Sequence, residues 1–133
     1  MMIISGFRRI FLCDSGSFGD IEASLKTENY ALLLPASTIM EVDLSLSFAS
    51  QAVHQGCREV CCVGQFAGVL EDALDAMLEV DEELEVATSA LLVESEGVEY
   101  FLYAVGGGDP EMDLLALVES GSTLKNALVS QIR

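Results

Sequence analysis

Basic residues are scarce in this chain. Six Lys and Arg stand against 22 Asp and Glu, giving a formal net charge of −16 over 133 residues. Phosphate contacts need basic side chains, so a nucleic-acid partner is excluded. Histidine occurs once, at His54, and any histidine-dependent triad has to use it. Apolar runs are short; none approaches the roughly 18 residues of a membrane span. The first residues, MMIISGFRRIFLC, break their apolar stretch with Arg8 and Arg9, whereas a signal peptide puts positive charge first. A soluble, cytoplasmic protein without a membrane partner is therefore expected. GxGxxG and Walker loops are absent, and Gly106-Gly107-Gly108 has no Lys behind it. With no internal repeat and no low-complexity linker, residues 1–133 read as one domain.

What is present is hydrophobic substance, 51% of the chain, laid out in alternating strand-like and helix-like segments. Short continuous apolar runs mark strands buried on both faces. They fall at residues 7–13 (FRRIFLC), 30–34 (YALLL, closed by Pro35), 59–63 (EVCCV), 84–88 (LEVAT) and 114–118 (LLALV). DSGSFGD, after the first run, reads as a turn. Val42, Leu46, Ala49 and Val53 share one helical stripe, stopped by Gly56. Phe66, Val69, Leu70, Ala73, Leu74, Met77 and Leu78 predict a helix over 66–80. Residues 98–105 (VEYFLYAV) fit helical spacing but are rich in β-formers, which keeps strand open. Leu124, Leu128 and Ile132 line a last helix over 123–132. The alternation predicts an α/β fold: a small three-layer α/β/α sandwich with a mostly parallel sheet of about five strands. Ligands of such sheets bind at the carboxyl ends of the strands. Here that edge carries Asp14, Ser15, Ser17, Ser37 and Thr38.

Cys13, Cys57, Cys61 and Cys62 all sit in apolar runs. They read as reduced core thiols rather than disulfides. Adjacent strand residues point to opposite faces, so Cys61 and Cys62 cannot share a zinc ion with His54 and Cys57. Asp81, Glu82, Glu83 and the Asp109, Glu111, Asp113 series lack the EF-hand spacing. IFLCDSGSFGD resembles the nucleophile strand of haloacid-dehalogenase-type phosphatases and the first phosphate loop of actin-like ATPases. The phosphatase pattern places a second Asp where this chain has Gly16, and the ATPase fold needs a far longer chain. No cofactor, no metal and no catalytic residue is expected.

Charge distribution is the most unusual feature. From Glu59 to Leu124 there is no Lys or Arg, and the same stretch holds 16 Asp and Glu. The acids are densest from Glu71 to Glu85, so the 66–80 helix has an apolar face and an acidic one. One reading is a solvated, solubilising face. Another is complementarity to a basic protein, because a patch of one sign speeds association and rejects like-charged competitors. Its most concrete form is an immunity protein or inhibitor that occludes a basic toxin, such as a nuclease, through Glu71, Asp72, Asp75, Glu79, Glu82 and Glu83. The alternatives are a scaffold domain that self-associates through its apolar C-terminal half, and a small-ligand domain.

YALLLPAST, the helix ending in HQG, REVCCVGQ, LEDALDAML, the strand ending at Thr88 and VEYFLY together are similar to a small bacterial family of uncharacterised α/β proteins. The resemblance covers residues 30–105. The family carries Trp and His after the third and fourth strands, where this chain has neither. It implies the fold and no activity.

Overall fold

The apolar runs become a six-stranded sheet in a computed structural model that describes residues 2–5, 8–25, 29–83 and 85–132. The strands are β1 (Met2–Ser5), β2 (Arg8–Cys13), β3 (Tyr30–Pro35), β4 (Cys57–Val63), β5 (Ala87–Leu91) and β6 (Asp113–Leu117). The helices are α1 (Phe18–Ser24), α2 (Ile39–Val53), α3 (Ala67–Val80), α4 (Glu94–Tyr103) and α5 (Thr123–Ile132). Sheet order is β1-β2-β6-β3-β4-β5. Five strands are parallel, and β1 is an antiparallel edge paired to β2.

Strand side chains alternate between two cores, as the pleat requires. Phe11, Leu32, Leu34, Val60, Cys62 and Leu115 face one core, shared with Phe18, Val42, Ala49, Leu70 and Leu74 from α1, α2 and α3. Ile10, Ala31, Leu33, Cys61, Val63 and Leu114 face the other, with Val98, Phe101, Leu124 and Leu128 from α4 and α5. This is the expected three-layer sandwich. Right-handed crossovers explain which helix lies where. The chain moves toward β5 through α1, α2 and α3 on one face. It then turns back to β6, so α4 has to cross on the other. β6 enters between β2 and β3, and this reversal creates the topological switch point.

Two local expectations change, one open reading is decided and one strand is added. The DSGSFGD segment is not all turn: Phe18 opens α1 and packs its ring 4.6 Å from that of Phe48. The fourth strand runs over 87–91 rather than 84–88, because residues 81–83 first close α3; Leu84, like Phe7, lies outside the described residues. Residues 98–105 are helical as far as Tyr103. Met2–Ser5, given no element from its sequence, forms β1.

Candidate functional site

The acidic face is built by α3 and the turn after it. Leu70, Leu74 and Leu78 turn inward. The opposite side exposes Asp72, Asp75 and Glu79, which follow one another at helical spacing. Glu71 is half-buried on the flank of that stripe. Beyond the helix, the Asp81 and Glu83 amides donate to the Met77 and Leu78 carbonyls, and Glu82 adopts a left-handed φ of 60°. Glu82 is exposed and Glu83 half-buried. The structure thus gathers Asp72, Asp75 and Glu79 on one stripe and sets Glu82 and Glu83 apart at its end.

These charges do not serve helix stability. α3 has no acid in its first turn and no base in its last, so Glu79 stands in the turn where the helix dipole disfavours a negative charge, and Asp72, Asp75 and Glu79 repel one another at helical spacing. Among the described residues, one basic side chain comes within 4 Å of an acid of this region, His54 Nε2 at 3.9 Å from Asp81. Arg58 shares a hollow of about 150 Å³ with Glu83 and Glu85, so Glu83 is the member of the set with a cation nearby. Asp75 accepts a hydrogen bond from Thr88 Oγ1 at 2.7 Å, which places its stripe over β5. At the far side of the sheet, Arg8 is buried on β2 and Arg9 makes a bidentate pair with Asp113 of β6. Arg8 and Arg9 thus lie on β2, at the far side of the sheet from the α3 acids.

Sequence reasoning missed the partner of this face on the other side of β5. There Leu91, Tyr100, Tyr103 and Ala104 line a groove of about 470 Å³ rimmed by Glu96 and Glu99. Leu92 and Val93, just past β5, are exposed. The acids of residues 94–99 were visible in the sequence, but only the crossover shows that they flank the same strand as α3.

The carboxyl edge of the sheet does hold a crevice at the switch point. A cavity of about 230 Å³ is lined by Ser37, Glu41, Glu94, Glu119, Ser122 and Thr123, among others. Beside it, Asp14, Ser17 and Lys125 line a hollow of about 210 Å³. The carboxylates are engaged in holding the loops. Glu41 accepts from the Ser37 amide, Glu94 from the Thr123 hydroxyl and Glu119 from the Ser15 amide. Thr38 caps α2 by accepting from the Glu41 amide. Asp14 takes both the amide and the hydroxyl of Ser17, which hold its carboxyl below the usual range. These groups build turns and caps. Among the described residues no cluster of three or more His, Cys, Asp or Glu is placed to hold a metal ion.

The four cysteines are free and buried, with Cys61 and Cys62 in opposite cores. Burial pushes the Cys13, Cys57 and Cys61 thiols up to about 12 and Cys62 higher still, the reverse of a reactive thiol. The apolar residues of the C-terminal half are largely interior: Leu114, Leu115, Leu124 and Leu128 are buried. Among the described residues no helix is long and apolar enough to cross a membrane.

No family model matches the chain, and no curated protein sequence matches it. Its backbone does have solved counterparts. Two crystal structures of MurF from Acinetobacter baumannii superpose on 99% of this chain, with TM-scores of 0.63 and 0.58. The chain is folded like a part of MurF. Sequence identity is 10% in both cases, and the match spans 30% and 29% of the MurF chains. The likeness establishes the α/β fold, and the chain spans about three-tenths of the MurF length.

Proposed function

We propose that this protein is an acid-faced binding module that engages a basic protein, most concretely as an immunity protein or inhibitor occluding a toxin such as a nuclease. The observation that carries the reading is the α3 stripe of Asp72, Asp75 and Glu79. It is exposed, its like charges repel one another at helical spacing with Glu79 also against the helix dipole, and it lies in a stretch of chain without Lys or Arg. Charge placed against local stability is accounted for when a partner supplies the missing cations. The mechanism is occlusion. The acids hold the surface that a basic partner would otherwise present to phosphates, and their field raises the association rate.

The test compares the wild type with an Asp72→Lys/Asp75→Lys/Glu79→Lys variant as bait in extracts of the cells that make the protein. A single basic protein held by the wild type at low salt, released at high salt and lost by the variant is the expected result. Equal capture by bait and variant refutes the reading, provided both melt cooperatively.

A further inference from the structure

β5 ends the sheet, and its outer side is open. The Leu91 carbonyl accepts from the Gly64 amide, so the backbone of Leu91, and by alternation that of Ser89 and Ala87, faces β4. The amides and carbonyls of Thr88 and Ala90 then point outward, and among the described residues no strand receives them. Edges of this kind are commonly defended by a charge, a proline or a bulge on the strand itself. β5 reads ATSAL and has none of the first two, and its register with β4 is unbroken.

The two surfaces beside that edge differ in shape and agree in sign. On one side Thr88 meets Asp75, so the acidic stripe of α3 overhangs the edge. On the other, Leu91, Tyr100 and Tyr103 floor the groove that Glu96 and Glu99 rim. A strand laid along β5 would send alternate side chains to these two surfaces. One set would meet carboxylates, and the other an aromatic floor with carboxylates at its lip.

We propose that β5 is the docking edge for one extended, basic segment of the partner protein, which joins the sheet as a further strand. This rests on the basic-partner reading above. The segment is about five residues long, matching β5 at about 3.3 Å per residue. It alternates Lys or Arg toward α3 with apolar or long-stemmed side chains toward Tyr100 and Tyr103. A second copy of this chain does not fit, because it would bring the same carboxylates against Asp72, Asp75, Glu79, Glu96 and Glu99.

The test uses a fluorescein-labelled heptapeptide of alternating lysine and valine, at about 50 mM salt, where screening is weak. Two isomers carry backbone N-methyl groups, one on the valine nitrogens and one on the lysine nitrogens. Only one set of nitrogens can face β5. The expected results are slowed amide exchange at Thr88 and Ala90, and binding of one methylated isomer about tenfold weaker than the other, roughly the worth of one good hydrogen bond. Ala90→Pro removes an outward donor without touching the β4 ladder or any charge. It should weaken the unmethylated peptide by about the same factor. Should it fail to fold, the methylated isomers still decide on the wild-type protein. Equal affinity of the two isomers with unchanged exchange at Thr88 and Ala90 overturns the docking edge and leaves the acidic-face reading standing. No binding of any lysine peptide to the wild type overturns both.

Discussion

Gly97 sets how deeply α4 sits on the sheet, and replacing it measures that seat. A methyl group at this position would lie 2.6 and 2.7 Å from the two Cγ atoms of Val63 on β4. Ordinary contact begins at 3.4 Å, so helix and strand would have to part by about 0.8 Å in a close-packed interior. β4 cannot yield easily, being held by β3 on one side and β5 on the other. Overpacking of this kind costs about 1–3 kcal/mol. The helix gains back up to about 1 kcal/mol from replacing a glycine by alanine. Gly97→Ala should therefore destabilise by about 1 kcal/mol net. Gly68, in the first turn of α3, has nothing within 4 Å of its added methyl. Gly68→Ala should be neutral or stabilising by about 0.5 kcal/mol, so the difference between the two variants isolates the clash. Urea unfolding with a shared slope is the assay, and Val63→Ala provides the partner. That variant loses about 2 kcal/mol alone through lost burial and a cavity, and it should absorb the Gly97→Ala methyl at little further cost. The reasoning fails if Gly97→Ala matches Gly68→Ala, or if its penalty is unchanged in the Val63→Ala background.

Glu59 is a buried carboxylate that accepts from Tyr100 Oη at 2.6 Å and from the Gly106 amide at 3.0 Å. Glu59→Ala strands those donors and should cost about 3 kcal/mol in thermal or urea unfolding, with Glu59→Gln recovering part of it. The thiols should resist a disulfide exchange reagent in the native protein near pH 8 and react at once on unfolding; rapid native reaction would contradict their burial. Their folded values, about 12 for Cys13, Cys57 and Cys61, lie above the unfolded 9.0. Stability from this source is therefore complete below about pH 9 and falls as pH rises toward 12, with a slope of up to about 1.4 kcal/mol per pH unit for each thiol. A flat profile over that range in wild type, or an unchanged slope in Cys61→Ser, would count against it.

The parallel strands were readable because burial on both faces leaves an uninterrupted apolar run, as in YALLL and LLALV. The helix α3 was readable because its inward leucines recur at helical spacing. α1 escaped because it is short and its two buried residues are Phe18 and Glu22, with Ile21 and Leu25 only partly buried against the core; Glu22 accepts from Tyr30 Oη and Gln51. No hydrophobic pattern signals a buried carboxylate. LEVAT reads as strand because it is a short, mainly apolar run, while the α3 closure by Glu83 on Leu78 is a backbone event without a residue signature. The acids of α3 were individually visible. Their relation to Glu96, Glu99, Tyr100 and the open side of β5 depends on a crossover between faces, which spacing along the chain does not encode.

An uncharged open edge is ordinarily a hazard, since it invites any extended chain, including another copy. Here the defence is placed on the neighbouring helices. Two like charges about 8 Å apart in water repel by about 0.5 kcal/mol. Several such pairs between two copies sum to about 2–3 kcal/mol, comparable to the net worth of the few hydrogen bonds that edge-to-edge pairing would add. Reversing the sign of one strand converts the same terms into attraction. A single set of carboxylates then rejects the chain's own copy and selects a basic segment, which is how specificity becomes a difference between two affinities.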